Sequence, residues 1–87
     1  MTADRPPVVV LRLFASAREA AGTGRAELAG RTVGDVLDDA RRRFGAGFDA
    51  VLATSRVWVN GEPAGAADAL RPGDEVAVLP PVSGGGA

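Results

Sequence analysis

The sequence predicts one small two-layer α+β domain, in which a mixed sheet carries a single main helix on one face. The length of 87 residues allows one hydrophobic core and not two. Short runs with strand composition occupy residues 8–14, 56–60 and 75–79, with Val as their commonest residue. Between the first two of them lies one apolar stripe with helical spacing, so strands flank one helix.

Composition excludes several classes of function. The balance of 10 Lys+Arg against 11 Asp+Glu gives a net charge of −1, which argues against nucleic-acid binding by phosphate neutralisation. Cys and His are absent, so thiolate or imidazole metal sites, Ser-His-Asp triads and disulfides are excluded. No apolar run is long enough to span a membrane, and residues 1–7 resemble a flexible leader rather than a signal peptide. We therefore expect a cytoplasmic protein without resident metal or cofactor.

The first strand alternates between two faces. Val9, Leu11 and Leu13 share one face, whereas Val8, Val10, Arg12 and Phe14 share the other. Arg12 indicates that the second face meets solvent. Residues 16–24 are small and polar, which predicts a loop with room for one helical turn, and residues 25–28 predict a returning strand.

The main helix begins after Thr32, because Thr32 and Asp35 have the spacing of a capping box. Its apolar stripe comprises Val33, Val36, Leu37, Ala40 and Phe44. We expect Gly45 and Gly47 to end it, and residues 48–53 to form a short buried turn. The run at residues 41–43 is consistent with a solvated helix end, which its dipole favours, or with a phosphate-binding patch.

Two turn signals complete the chain order. Asn60-Gly61 predicts a tight hairpin after the third strand, and residues 71–74 (Arg-Pro-Gly-Asp) predict a turn before the last strand. Residues 64–70 are expected to be a loop or a short helical turn. The resulting order β-β-α-β-β in residues 8–79 is that of a β-grasp, the ubiquitin-like roll.

The segment that follows the domain, residues 80–87, has an unusual composition. Pro80 and Pro81 stiffen the exit, and Val82 and Ser83 lead to Gly84-Gly85-Gly86-Ala87. A flexible glycine run suits the threading of a carboxylate into a narrow active site, because glycine permits close approach of other groups. A frayed terminus is the alternative interpretation.

Four stretches together resemble the MoaD family, the ubiquitin-like small subunit of molybdopterin synthase in the MoaD/ThiS superfamily. They are residues 10–19 (VLRLFASARE) with Gly22, Thr32-Val33, residues 59–61 (VNG), and residues 73–76 (GDEV) continuing into PPVSGG at residues 80–85. The resemblance implies that a C-terminal glycine is adenylated from ATP and then converted to a thiocarboxylate. The carrier would hold no catalytic side chain of its own.

The same resemblance implies sites and partners. The acyl end would be Gly85, or else Gly84 or Gly86, after removal of the residues that follow it. The implied partners are a MoaE-type large subunit, a ubiquitin-activating-like (MoeB-type) adenylating enzyme and a sulfur donor. The expected partner-binding residues are Phe14, Arg18, Trp58, Leu79, Pro80, Pro81 and Val82.

The strand period separately predicts a docking surface. If Val57, Val76 and Val78 face the helix, then Phe14, Trp58, Ala77 and Leu79 lie on the opposite sheet face. The alternative places Trp58 in the core with the period shifted by one residue. Three other functions remain open: a carrier for thiamine, cysteine or thiolated tRNA synthesis, a protein modifier, or a non-covalent β-grasp binding module.

Overall fold

The computed structural model describes residues 5–81 and contains a five-stranded sheet with three helices. The elements are β1 (Val8–Leu13), α1 (Ala15–Ala21), β2 (Arg25–Ala29), α2 (Val33–Phe44), α3 (Ala46–Leu52), β3 (Arg56–Val59), β4 (Glu62–Pro63) and β5 (Glu75–Leu79). The strand order is β2-β1-β5-β3-β4, with β1 and β5 parallel and the other pairs antiparallel. The sheet is therefore mixed, as predicted.

The core lies between the sheet and the helices and follows the predicted alternation. Val9, Leu11 and Leu13 of β1 are buried, as are Val76 and Val78 of β5. The predicted stripe of α2 lies opposite them, with Val33, Val36, Leu37 and Ala40 buried and Phe44 packed against the core. The apolar period of two in the strands and of 3.6 in α2 thus determines how the two layers meet.

The start of α2 is the predicted capping box. The Asp35 N–H donates to Thr32 Oγ1 at 3.2 Å, and the Thr32 N–H donates to Asp35 Oδ2 at 3.3 Å. At the other end of α2, Arg41, Arg42 and Arg43 form ion pairs with Asp38, Asp39 and Asp49. Each guanidinium already has a carboxylate partner, which supports a solvated helix end over a phosphate-binding patch.

The predicted loop at residues 16–24 was wrong, because residues 15–21 form the two-turn helix α1. Alanine has the highest helix propensity, and one buried side chain, Ala17, attaches α1 to the core. Gly22 ends the helix with φ 80°, a left-handed conformation that favours glycine. The first strand accordingly stops at Leu13, one residue earlier than predicted.

The predicted turn at residues 48–53 was also wrong, because residues 46–52 form α3. Phe48 and Leu52, one helical turn apart, are both buried. The Phe48 ring meets the Phe44 ring edge-on at a centroid distance of 5.3 Å. Gly45 separates α2 from α3 with φ 89°, whereas Gly47 lies inside α3 rather than ending α2.

Both predicted turns are present. Asn60 and Gly61 have φ of 51° and 85°, as a type I′ hairpin between β3 and β4 requires. In the turn before β5, the Asp74 N–H donates to the Arg71 carbonyl at 3.1 Å, and Gly73 has φ 84°. Within the described range, no helix is long and apolar enough to cross a membrane.

Candidate functional site

Strand direction brings the exit of the C-terminal segment beside the first loop. Strands β1 and β5 run parallel, and Leu13 and Val78 are Cα partners, so Phe14 and Leu79 each follow at the same end of the sheet. Strand β3 runs the opposite way and begins there, with Arg56 paired to Leu79. We call this end of the sheet, formed by Phe14, Arg56 and Leu79, the tail-exit end.

The sheet face turned away from the helices, here called the open face, carries Trp58. Register places Arg25, Arg12, Ala77, Trp58 and Pro63 in one row across the five strands. The neighbours of Trp58 along β3, Val57 and Val59, pack against the core, and Trp58 does not. The predicted period is therefore right, and the alternative with Trp58 in the core is wrong.

The open face has two chemically different halves. On β1, β2 and the first residue of β5, Arg12 Nη1 lies 3.0 Å from Glu75 Oε2, and Arg25 Nη2 lies 3.4 Å from Glu27 Oε2. On β5 and β3, the half-buried residues Ala77, Leu79 and Trp58 form an apolar patch. A depression of about 370 Å³ beside this patch is lined by Ser55, Arg56, Val57, Trp58, Pro63 and Ala64. The apolar half thus adjoins the point where the chain leaves the domain.

Phe14 follows Leu13 with an extended backbone (φ −123°, ψ 154°) and lines a depression with Arg12 and Arg25 of the open face, as the strand period predicts. It is the N-cap of α1, and its carbonyl accepts hydrogen bonds from the N–H groups of Ala17 at 3.0 Å and Arg18 at 3.3 Å. Its side chain is nevertheless 41% exposed at the tail-exit end. The start of α1 therefore holds a partly exposed aromatic ring at the tail-exit end of the open face.

Arg18 is exposed, and its side chain crosses Gly24. A Cβ on Gly24 would meet Arg18 Cδ and Nε at 3.4 Å, so the glycine leaves room for this path. Phe14 and Arg18 share a depression of about 390 Å³ with Arg12, Leu13, Thr23, Gly24 and Arg25. The structure thus brings these two predicted partner-binding residues together, while Trp58 lies further along the sheet.

Some of the remaining predicted site residues lie inside the described range and others lie beyond it. Pro80 is half-buried and Pro81 is exposed directly after β5. Val82, Gly84, Gly85 and Gly86 lie outside the described residues, so their roles stay predictions. Sequence reasoning did not single out Arg56, because its position opposite Leu79 depends on pairing between distant segments.

These features define a class of protein. A β-grasp domain with an open sheet face beside the exit of its C-terminal segment has the architecture of ubiquitin-like carriers and modifiers. Residues 11–85 match the model of the ThiS family, and the chain belongs to that family. No curated protein sequence matches it significantly.

Several solved structures share the fold. SAMP1 from Haloferax volcanii is 34% identical with a TM-score of 0.81, covering 90% of this chain and 99% of that one. A putative molybdopterin converting factor subunit 1 from Pyrococcus furiosus is 28% identical with a TM-score of 0.77, covering 87% and 99%. The Amycolatopsis orientalis BexX/CysO complex matches at 29% identity and a TM-score of 0.72, covering 88% and 99%. The chain is thus a ubiquitin-like sulfur carrier of the ThiS/MoaD superfamily.

Proposed function

We propose that this chain carries sulfur as a C-terminal thiocarboxylate and donates it to build the dithiolene of molybdopterin. The single observation that carries the proposal is the position at which β5 ends, from which residues 80–85 (PPVSGG) follow in the sequence. Leu79 and Pro80 leave the sheet beside its apolar half, so a partner that docks on the open face receives the following residues at its own surface. The likeness to a putative molybdopterin converting factor subunit supports this pathway.

The proposed chemistry takes place at one backbone carboxyl group. The carboxylate of the terminal glycine, Gly85 in our preferred assignment, attacks the α-phosphate of ATP and releases pyrophosphate. The resulting acyl-adenylate has an electrophilic carbonyl carbon. Sulfide-level sulfur (HS−) from a donor then attacks this carbon, displaces AMP and loses its proton, which leaves the thiocarboxylate. Adenylation is the work of a MoeB-type enzyme, and a MoaE-type subunit is where the carrier delivers sulfur.

The chain itself supplies the surface that binds the partner and the C-terminal segment that carries the carboxyl group to the partner's active site. In this proposal, Trp58 and Leu79 form the apolar contact, Phe14 and Arg18 extend it, and Pro80 and Pro81 direct the exit. The sulfur resides on the backbone, so the absence of Cys is compatible with the role. All ten basic residues are Arg, so no side-chain amine can capture an activated carrier molecule in an isopeptide bond. The carrier would work in the cytoplasm with its partners.

Two other roles fit the same activation step. The 34% identity to SAMP1, a small archaeal modifier protein, favours a protein modifier, which would transfer its terminal acyl group to lysines of other proteins. The match to CysO in its BexX complex favours a carrier for another sulfur pathway. Thiamine synthesis and tRNA thiolation are further pathways of this kind, and a non-covalent binding module is the alternative without activation.

The test incubates the form of the chain that ends at Gly85, beside the 87-residue chain, with a MoeB-type enzyme, ATP and a sulfur donor, then adds iodoacetamide and measures intact mass. Because the chain has no Cys, stable alkylation beyond the background of an ATP-free sample reports the thiocarboxylate. We expect one such adduct on the form ending at Gly85 and none on a variant lacking residues 84–87. The loaded carrier is then mixed with a MoaE-type subunit and the pterin precursor. Dithiolene formation supports the proposal, protein conjugates indicate a modifier, and absence of any adduct excludes a sulfur carrier.

A further inference from the structure

Arg56 is a solvent-exposed cation at the tail-exit end, beside the apolar half of the open face. It opens β3 and is the Cα partner of Leu79, the last residue of β5. Because side chains alternate along a strand, Arg56 lies on the same face as Trp58. Both residues also line the depression of about 370 Å³.

Within the described part of the chain, no carboxylate lies within ion-pairing distance of Arg56. The two other arginines in the strands differ, since Arg12 pairs with Glu75 and Arg25 pairs with Glu27. A partner that covers Trp58 and Leu79 also removes water from Arg56. Desolvating an unpaired guanidinium opposes binding strongly, whereas a carboxylate placed opposite it offsets that cost.

We propose that Arg56 is a specificity contact, which pairs with a carboxylate of the partner protein at the opening of the channel that receives the C-terminus. The inference rests on the proposed function and adds the chemistry of the partner surface. A partner with an apolar or basic group at that point would be rejected by the buried charge, so Arg56 discriminates between related partners.

The reach of the C-terminal residues excludes the nucleotide as the group that Arg56 contacts. Gly85 is the sixth residue after Leu79, and a threaded, extended segment of this length spans about 20 Å. The carboxyl group that reacts with ATP would then lie far beyond the reach of an arginine side chain at residue 56. Arg56 therefore acts at the rim of the partner rather than at its reaction centre.

The experiment measures ATP–pyrophosphate exchange by the MoeB-type enzyme as a function of carrier concentration, with the wild type and every variant made as the form that ends at Gly85. We expect Arg56→Gln to raise the KM for the carrier by at least about tenfold with kcat nearly unchanged, and Arg56→Glu to raise it further. Arg56→Lys should recover part of the loss. Arg42→Gln is the matched control, because Arg42 lies in the helix layer with a side chain 71% exposed, and its KM should equal that of the wild type.

The experiment distinguishes failure of the Arg56 contact from failure of the proposed carrier function. If the wild type supports exchange and Arg56→Gln has an unchanged KM, the contact is wrong and the carrier function stands. If the wild type supports no exchange, the proposed function fails and the contact fails with it. Increasing salt provides a second readout, since it should raise the KM of the wild type more steeply than that of Arg56→Gln.

Discussion

Asn60 and Asp74 are joined by a hydrogen bond at the end of the sheet opposite the tail exit. Asn60 Nδ2 donates to Asp74 Oδ1 at 3.0 Å, and the same amide accepts from the Glu75 N–H through its Oδ1 at 3.0 Å. The hairpin after β3 is thereby tied to the turn before β5. Two of the stretches that resemble the MoaD family, VNG and GDEV, are therefore partners in one structural contact.

Two replacements of Asn60 distinguish the stability contributed by its side-chain hydrogen bonds from the stability that depends on its backbone conformation. Asn60→Gly loses the hydrogen bonds but tolerates φ 51°, so we expect a loss of about 1 kcal/mol in the free energy of unfolding. Asn60→Ala adds left-handed strain and should lose about 2 kcal/mol or more. Urea denaturation measures both. Equal stability of the two variants would show that backbone strain contributes nothing at this turn.

The same contact predicts a pH dependence. The hydrogen bond from Asn60 is the largest cause that lowers the pKa of Asp74 below 3.8, followed by the Arg71 N–H and the Arg71 charge. A lowered carboxyl pKa stabilises the fold above its unfolded value, and that contribution is lost as the pH falls through the folded pKa. The stability gap between wild type and Asn60→Gly should therefore shrink between about pH 5 and about pH 2. A constant gap would contradict this linkage.

Gly30 packs closely against the start of α2, and Gly47 in α3 is the control glycine with open space around it. A Cβ on Gly30 would lie 2.7 Å from Val36 Cγ2 and 3.0 Å from the Val36 nitrogen, so Gly30→Ala should cost about 1–3 kcal/mol by overpacking. Gly47 lies in α3 with no atom near that position, and Gly47→Ala should be neutral or stabilise by up to about 1 kcal/mol. Thermal denaturation tests whether Gly30→Ala lowers the melting temperature while Gly47→Ala leaves it unchanged or raises it.

How much the sequence predicts depends on how much apolar surface an element contributes. Helix α2 was predictable because five apolar residues repeat along it beside a capping box. Helices α1 and α3 were missed because each buries one or two side chains, Ala17 in α1 and Phe48 with Leu52 in α3, which is too few to define a period. Their helical form depends on tertiary packing against the core rather than on a local pattern.

The residues of the candidate site also differ in whether local sequence information predicts their positions. The face of Trp58 follows from the strand period, which is local information. The face of Phe14 follows from the same period, but its position as the N-cap of α1 does not, because α1 was not predicted. The significance of Arg56 requires the β3–β5 register, which only the folded structure provides.

Phe14 gives a test of docking that is separate from folding. The ring is 41% exposed and is not part of the core cluster, so Phe14→Ala should change the free energy of unfolding by less than about 1 kcal/mol. Affinity for a MoeB-type or MoaE-type partner, measured by calorimetry, should fall by about 1–3 kcal/mol. Phe48→Ala is the contrasting core variant and should lose about 3–5 kcal/mol of stability. A loss of that size for Phe14→Ala would assign the ring to folding instead.

The position of the acyl end gives the last prediction. Gly86 and Ala87 follow the Gly84-Gly85 pair that resembles the family ending, and two extended residues would displace the carboxyl by about 7 Å. Adenylation requires this carboxylate at the α-phosphate of ATP, where errors of about 1 Å already slow a reaction strongly. A version ending at Gly85 should therefore support pyrophosphate exchange at least about tenfold faster than the 87-residue chain. The control is a version ending at Gly84, which should be slow because its carboxyl falls short. Equal rates for the 87-residue and Gly85 forms, with Ala87 retained by mass, would assign the acyl end to Ala87.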